Sequence, residues 1–156
     1  MTTIDDPART EISPGVAPRG MRLSTYKSIV RASALYDLIV TAPFVTPWTL
    51  TIVLGLVHDV HLHLGLPGIV PTFGPTHLLF AGLMGSVVVV WSLARLRLNV
   101  PILGRYDAAA RFLFAAWQFF AVATGATPLI LIFTAFEVVF GLLQVLPYQK
   151  EQARGG

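Results

Sequence analysis

Apolar residues run in long blocks along this chain, and proline, glycine and charge clusters break the blocks rather than alternating polar positions. Blocks of that length read as helices, and the breakers divide them at about 26–44, 47–64, 76–98, 105–125 and 128–147. Thr46-Pro47 and Thr127-Pro128 each offer a capping hydroxyl followed by proline at the first helical position. The segment GLPGIVPTFGP, 65–75, is too dense in glycine and proline for a helix and reads as a loop. Residues 1–24 are polar, rich in Pro and Gly and without period, which predicts a flexible N-terminal tail; 149–156 form a short C-terminal tail around one domain at 25–148. The first apolar run starts only near Ile29 and lacks a small-residue cleavage site, which argues against a signal peptide.

Composition turns helices into membrane helices. Of 156 residues 54% are hydrophobic and 12% charged, and the mean hydropathy is +0.70. A soluble domain carries about twice that charge, and several blocks approach the ~18 apolar residues of a membrane span. The absence of cysteine excludes disulfides, thiolate metal sites and cysteine nucleophiles.

The net charge of +3 points to topology rather than to nucleic acid. If 26–44, 76–98, 105–125 and 128–147 span, every Lys and Arg falls on or near one side, including Arg22, Lys27, Arg31, Arg95, Arg97, Arg105 and Arg111. The other side, 45–75 and the turn at 125–128, has none, which is the positive-inside pattern. A fifth span would break it. The expected fold is therefore all-α: a four-helix bundle integral to the cell membrane, multi-pass, with both termini cytoplasmic. Segment 47–64 is expected as an extra outer re-entrant or interfacial helix, anchored by Trp48.

This topology gives each residue a depth. Asp37 lies ten residues from Lys27, roughly 15 Å in, and Glu137 nine from Pro128, roughly 13 Å in. Ser86 and Gln118 reach similar depths, so the four converge on the midplane. Thr134, Glu137, Gly141 and Gln144 share one helical face; Ser33, Asp37 and Thr41 repeat at four; Arg111 and Gln118 share a face, with Asp107 a turn below Arg111. Such groups face the bundle interior rather than lipid. Asp37, Glu137, Gln118, Arg111, Ser86 and Thr134 are thus the candidate ligand-binding set, with no catalytic residue assigned. They suit the polar head of a lipophilic ligand or the passage of an ion or proton. The structural alternative is that they bond only to one another and hold the helices together.

His58, His61 and His63 stand beside Asp59, but His63 points roughly 140° from His58 on a helix, and a zinc site needs three or four convergent ligands. Solvated interfacial histidines are the preferred reading, even with His77 nearby, and no metal or cofactor is assigned. The basic connection LNVPILGRYDAAAR reads as a helix start held at the membrane surface, with Asp107 and Arg111 paired at i, i+4; recognition of an anionic head group by Arg95, Arg97, Arg105 and Arg111 is the alternative. Phosphate loops, nucleophile elbows, zinc-protease helices and dinucleotide fingerprints are absent.

Four spans, an outer segment after the first and a basic cytoplasmic turn resemble the DoxX-like small bacterial membrane proteins. In outline they are also similar to the EXPERA group, whose four-span members bind or isomerise sterols with intramembrane acids. The resemblance covers roughly 26–147, rests on architecture and assigns no residue a role. Two functions are expected from the whole reading. One is binding, with or without modification, of a lipophilic molecule such as a quinone, isoprenoid or lipid. The other is a non-catalytic accessory subunit of a larger membrane redox or transport complex. A cavity at mid-depth distinguishes the first, a closed polar network the second.

Overall fold

The computed structural model describes residues 20–149; the expected tails at 1–19 and 150–156 lie outside the described residues. Within them the chain is helical throughout: α1 (Leu23–Thr41), a short 3-10 turn (Ala42–Val45), α2 (Pro47–His63), α3 (Pro75–Leu98), α4 (Pro101–Ala123) and α5 (Ile130–Val145). Two segments, Leu23–Val45 and Pro75–Leu98, are long and apolar enough to cross a membrane, and α5 is a shorter apolar helix.

The breakers act largely as their chemistry dictates. Pro43 ends α1 at Thr41, three residues before the expected 44. Thr46 caps α2, its hydroxyl accepting from the Thr49 amide at 3.2 Å, with Pro47 at the first position. Helix α4 begins at Pro101 rather than 105, again with proline where the missing N–H costs nothing. Asn99 makes the reversal before it, in the left-handed conformation at φ 48°. Thr127-Pro128 starts a turn rather than α5 itself, which begins at Ile130. The last residues of the expected N-terminal tail are ordered: α1 starts at Leu23 and Met21 pairs with Tyr148.

Helix α3 packs on α1 and on the 3-10 turn, while α4 packs on α5. Although consecutive, α3 and α4 hardly pack on each other. Close approach requires glycine at two points within the helices. A Cβ on Gly85 would lie 2.5 Å from the Phe44 Cβ, and one on Gly104 2.6 Å from Val30 Cγ2. The Phe44–Gly85 contact places the hinge before α2 ten residues into α3, roughly 15 Å from its start. Trp48, 76% exposed, stands beside this hinge at the start of α2.

Backbone bridges close both ends. Met21 donates to Pro147 O at 3.0 Å and Gln149 to Met21 O at 3.0 Å, joining the two described chain ends. At the other end Ile69 donates to Gly125 O at 2.9 Å and Thr127 to Ile69 O at 3.1 Å, seating the 65–74 loop on the α4–α5 turn.

Burial is inverted relative to a soluble domain. The buried side chains are mostly polar, among them Ser33, Asp37, Ser92, Arg95, Asp107, Arg111, Glu137 and Gln144. Large apolar side chains stand outside, including Ile39, Ile52, Phe80, Val87, Leu113, Trp117 and Ile132.

Candidate functional site: a buried guanidinium–carboxylate cluster

The buried polar residues fall at helical spacing on four helices. Ser33 and Asp37 come from α1, Ser92 and Arg95 from α3, Asp107 and Arg111 from α4, and Glu137 and Gln144 from α5. Small neighbours on the same faces, Ala34, Gly85, Ala108 and Gly141, let the backbones close around them.

Arg111 is the hub. Its Nε meets Asp107 Oδ2 at 2.9 Å, Nη1 meets Glu137 Oε2 at 2.8 Å and Nη2 meets Asp37 Oδ2 at 2.6 Å. One planar fork thus grips carboxylates from three helices, a geometry that a lysine could not reproduce. Its guanidinium carbon also lies 5.1 Å from the Phe140 ring centre. Arg95 enters from α3 and shares two of the same oxygens: Nη2 meets Asp37 Oδ2 at 2.5 Å and Nη1 meets Asp107 Oδ2 at 2.6 Å. Trp91 donates from Nε1 to Asp107 Oδ1 at 3.1 Å. Ser33 Oγ accepts from Arg95 Nη1 at 3.1 Å and from Gln144 Nε2 at 2.6 Å, and donates to Val30 O at 2.9 Å. Tyr26 completes the lower edge by donating to Gln144 O at 3.0 Å.

Arg95 and Arg111 are 0% and 2% exposed in their side chains, against 11% for Asp37 and 12% for Glu137. Desolvating such charges costs several kcal/mol each, offset only where partners are dense and well aimed, as here. Asp37 and Glu137 each engage the guanidiniums through one oxygen and leave Asp37 Oδ1 and Glu137 Oε1 without a hydrogen bond among the described residues. Chemically the cluster is a lock between helices.

Of the candidate set, Asp37, Arg111 and Glu137 are brought together, with Arg111 lying between the two acids. Gln118, Ser86 and Thr134 stand apart from them. Gln118 is half-buried, seven residues beyond Arg111 on α4, roughly 10 Å further along, and its buried Oε1 has no partner. The Ser86 hydroxyl donates to its own helix at Gly82 O, 2.8 Å, and Thr134 to Ile130 O at 3.2 Å. A midplane layer is therefore replaced by a wedge that reaches from Gln144, at the end of α5, inward to Asp37 and Glu137. Arg95 carries charge inward from the last turn of α3, while Arg111 stands midway along α4.

Arg95 was missed because it sits in a basic run at the end of α3. The signal was there: Gly85, Ser92 and Arg95 share a face, whereas Arg97 points roughly 200° away from Arg95. Arg105, for which head-group recognition was the alternative reading, turns onto the end of α5 and donates to Leu146 O at 3.0 Å and to Val145 O.

The histidines separate. His61 is 7% exposed and its Nδ1 bonds Thr127 Oγ1 at 2.9 Å, so it fastens α2 to the α4–α5 turn and is not a solvated group. His77 Nδ1 accepts from the Gly74 amide at 3.3 Å. Among the described residues no group of three His, Cys, Asp or Glu side chains converges as a metal site would require.

No protein-family model matches the chain, and no characterised protein or solved structure matches it significantly.

Proposed function

We propose that the chain is a multi-pass membrane protein crossing the bilayer with α1, α3, α4 and α5, both termini on the cytoplasmic side, and that it serves as a non-catalytic subunit of a larger membrane assembly. The ion-paired cluster carries this reading: Arg95 and Arg111 are paired with Asp37, Asp107 and Glu137, and those acids line neither the Ser86–Ala94 groove nor the one between α2 and the 70–73 loop. The apolar exterior supports the membrane setting. Internal pairing of Asp107 and Arg111 makes α4 tolerable in lipid despite its charges. The bridges that join Met21 to Tyr148 and Ile69 to Ala126 support an even number of crossings between the described ends.

One observation favours a second reading, in which the cluster binds a lipophilic molecule such as a quinone, isoprenoid or lipid. Asp37 Oδ1 and Glu137 Oε1 are free acceptors, and the cluster sets three acids against two cations. A donor-bearing or cationic head group would complement it.

Purification in mild detergent with mass spectrometry of co-purifying proteins and lipids separates the two. A stoichiometric membrane-protein partner retained by Glu137→Gln is the expected result. A lone chain carrying one lipophilic molecule that Asp37→Asn releases would establish the second reading instead. Topology is tested by single cysteines in this cysteine-free chain. In intact cells an impermeant maleimide should label Pro67→Cys, and reach Val100→Cys only after permeabilisation.

A further inference from the structure

The outward face of α3 carries a feature that the cluster does not use. A groove of about 380 Å³, open to one side, is lined by Ser86, Val87, Val90, Trp91 and Ala94. It runs about 12 Å along the helix, from residue 86 to residue 94. Trp91 forms a fixed wall because its indole N–H is held by Asp107 at 3.1 Å. Val87 and Val90 are 69% and 66% exposed, so the groove is shallow and suits an extended hydrocarbon chain.

One turn past Ala94 the same stripe ends in a charge. Val87, Val90, Ala94 and Arg97 follow i, i+3, i+7 and i+10 and fall within about 80° of the helix circumference. Arg97 is exposed and makes no ion pair among the described residues. Arg22 and Arg31 are also exposed near this end, whereas Asp37, Asp107 and Glu137 are all turned inward onto Arg95 and Arg111. Among the described residues, burying these acids leaves the surface cations of this end without carboxylate partners.

We infer that this face of α3 binds an anionic phospholipid, one acyl chain lying in the Ser86–Ala94 groove and the phosphate meeting Arg97. The inference rests on the membrane reading above. An anionic lipid meets both requirements at once: an apolar chain for the groove and a negative group one turn beyond it. A partner helix would fill the apolar groove but would leave Arg97 without a counter-charge unless it supplied an acid.

Trp91 reports on the groove directly. With Trp48→Phe and Trp117→Phe, both on exposed side chains, Trp91 is the remaining tryptophan of the three in the chain. This variant is placed in phosphatidylcholine nanodiscs doped with a few per cent of a lipid brominated on its acyl chain. Brominated phosphatidylglycerol should quench Trp91 with an apparent affinity about fivefold above brominated phosphatidylcholine, the scale of one surface cation acting on an anionic lipid. Arg97→Gln should remove that difference while leaving basal quenching. Val90→Phe, which fills the groove from an exposed position, should lower quenching by both lipids. Equal quenching by the two lipids, or a difference that survives Arg97→Gln, overturns the inference. Release of the protein from cell-membrane vesicles by alkaline carbonate defeats the membrane reading itself, and is measured separately on the same variant before reconstitution.

Discussion

Where α3 turns into α4, two guanidiniums and three carboxylates tie four helices together at distances of 2.5 to 2.9 Å. At the opposite end α2 and the loop after it are fastened by one His61–Thr127 bond of 2.9 Å and by two backbone bonds from Ile69 and Thr127. Both ends are built from similarly apolar helices, so hydrophobic burial does not explain the difference. On the membrane reading proposed above, the hydrophobic effect supplies little force between helices, and polar contacts and close packing decide which elements are held. The clustered end is therefore the rigid one. Helix α2, whose buried residues are Leu50 and His61, is the element most able to move.

The comparison breaks most severely at Arg111. Arg111→Ala leaves Glu137 without a cation and Asp37 and Asp107 sharing Arg95, and should cost about 3–5 kcal/mol. The expected readout is loss of the folded, monodisperse species in detergent, with α4 and α5 the first helices to gain hydrogen exchange. Retention of wild-type thermal stability would show that the cluster does not hold the helices.

Glu137→Gln is milder, because the amide keeps a carbonyl acceptor for Arg111 Nη1 and loses only the charge. A cost of about 1–2 kcal/mol is expected in thermal unfolding. A loss as large as that of Arg111→Ala would move the hub of the cluster from Arg111 to Glu137.

His61→Ala sharpens the other side. It removes the α2–turn bond and should cost about 1 kcal/mol, seen as faster hydrogen exchange and easier proteolysis in 55–74 with little change in the melting of the α4–α5 pair. Global destabilisation on the scale of the Arg111 variant would erase the distinction between the ends.

Much of this contrast was legible in the sequence. The α5 face Thr134, Glu137, Gly141 and Gln144 is the buried one, and large apolar residues such as Ile132, Val139 and Leu142 stand exposed on the others. The breakers located every helix, with errors where proline acts one residue or one turn from its expected place: Pro43 stopped α1 early and Pro101 started α4 early. The site was legible only in part. Depth counted along each backbone put Ser86 and Gln118 beside Asp37, whereas hydrogen bonds are made by side-chain ends. Arginine reaches several ångströms from its own level, and serine satisfies itself on the preceding turn. The role of Arg95 followed from its face rather than its position near a helix end.

The central claim, that the cluster is a mutual lock between helices, is tested most directly by a double-mutant cycle on Arg111 and Glu137 followed by unfolding in one detergent. Arg111→Met strands buried acids, and Glu137→Met removes one of those stranded when both changes are combined. The account predicts that the double variant is more stable than Arg111→Met alone, with a coupling of about 1–3 kcal/mol. Additive losses, leaving the double variant the least stable of the set, would contradict it.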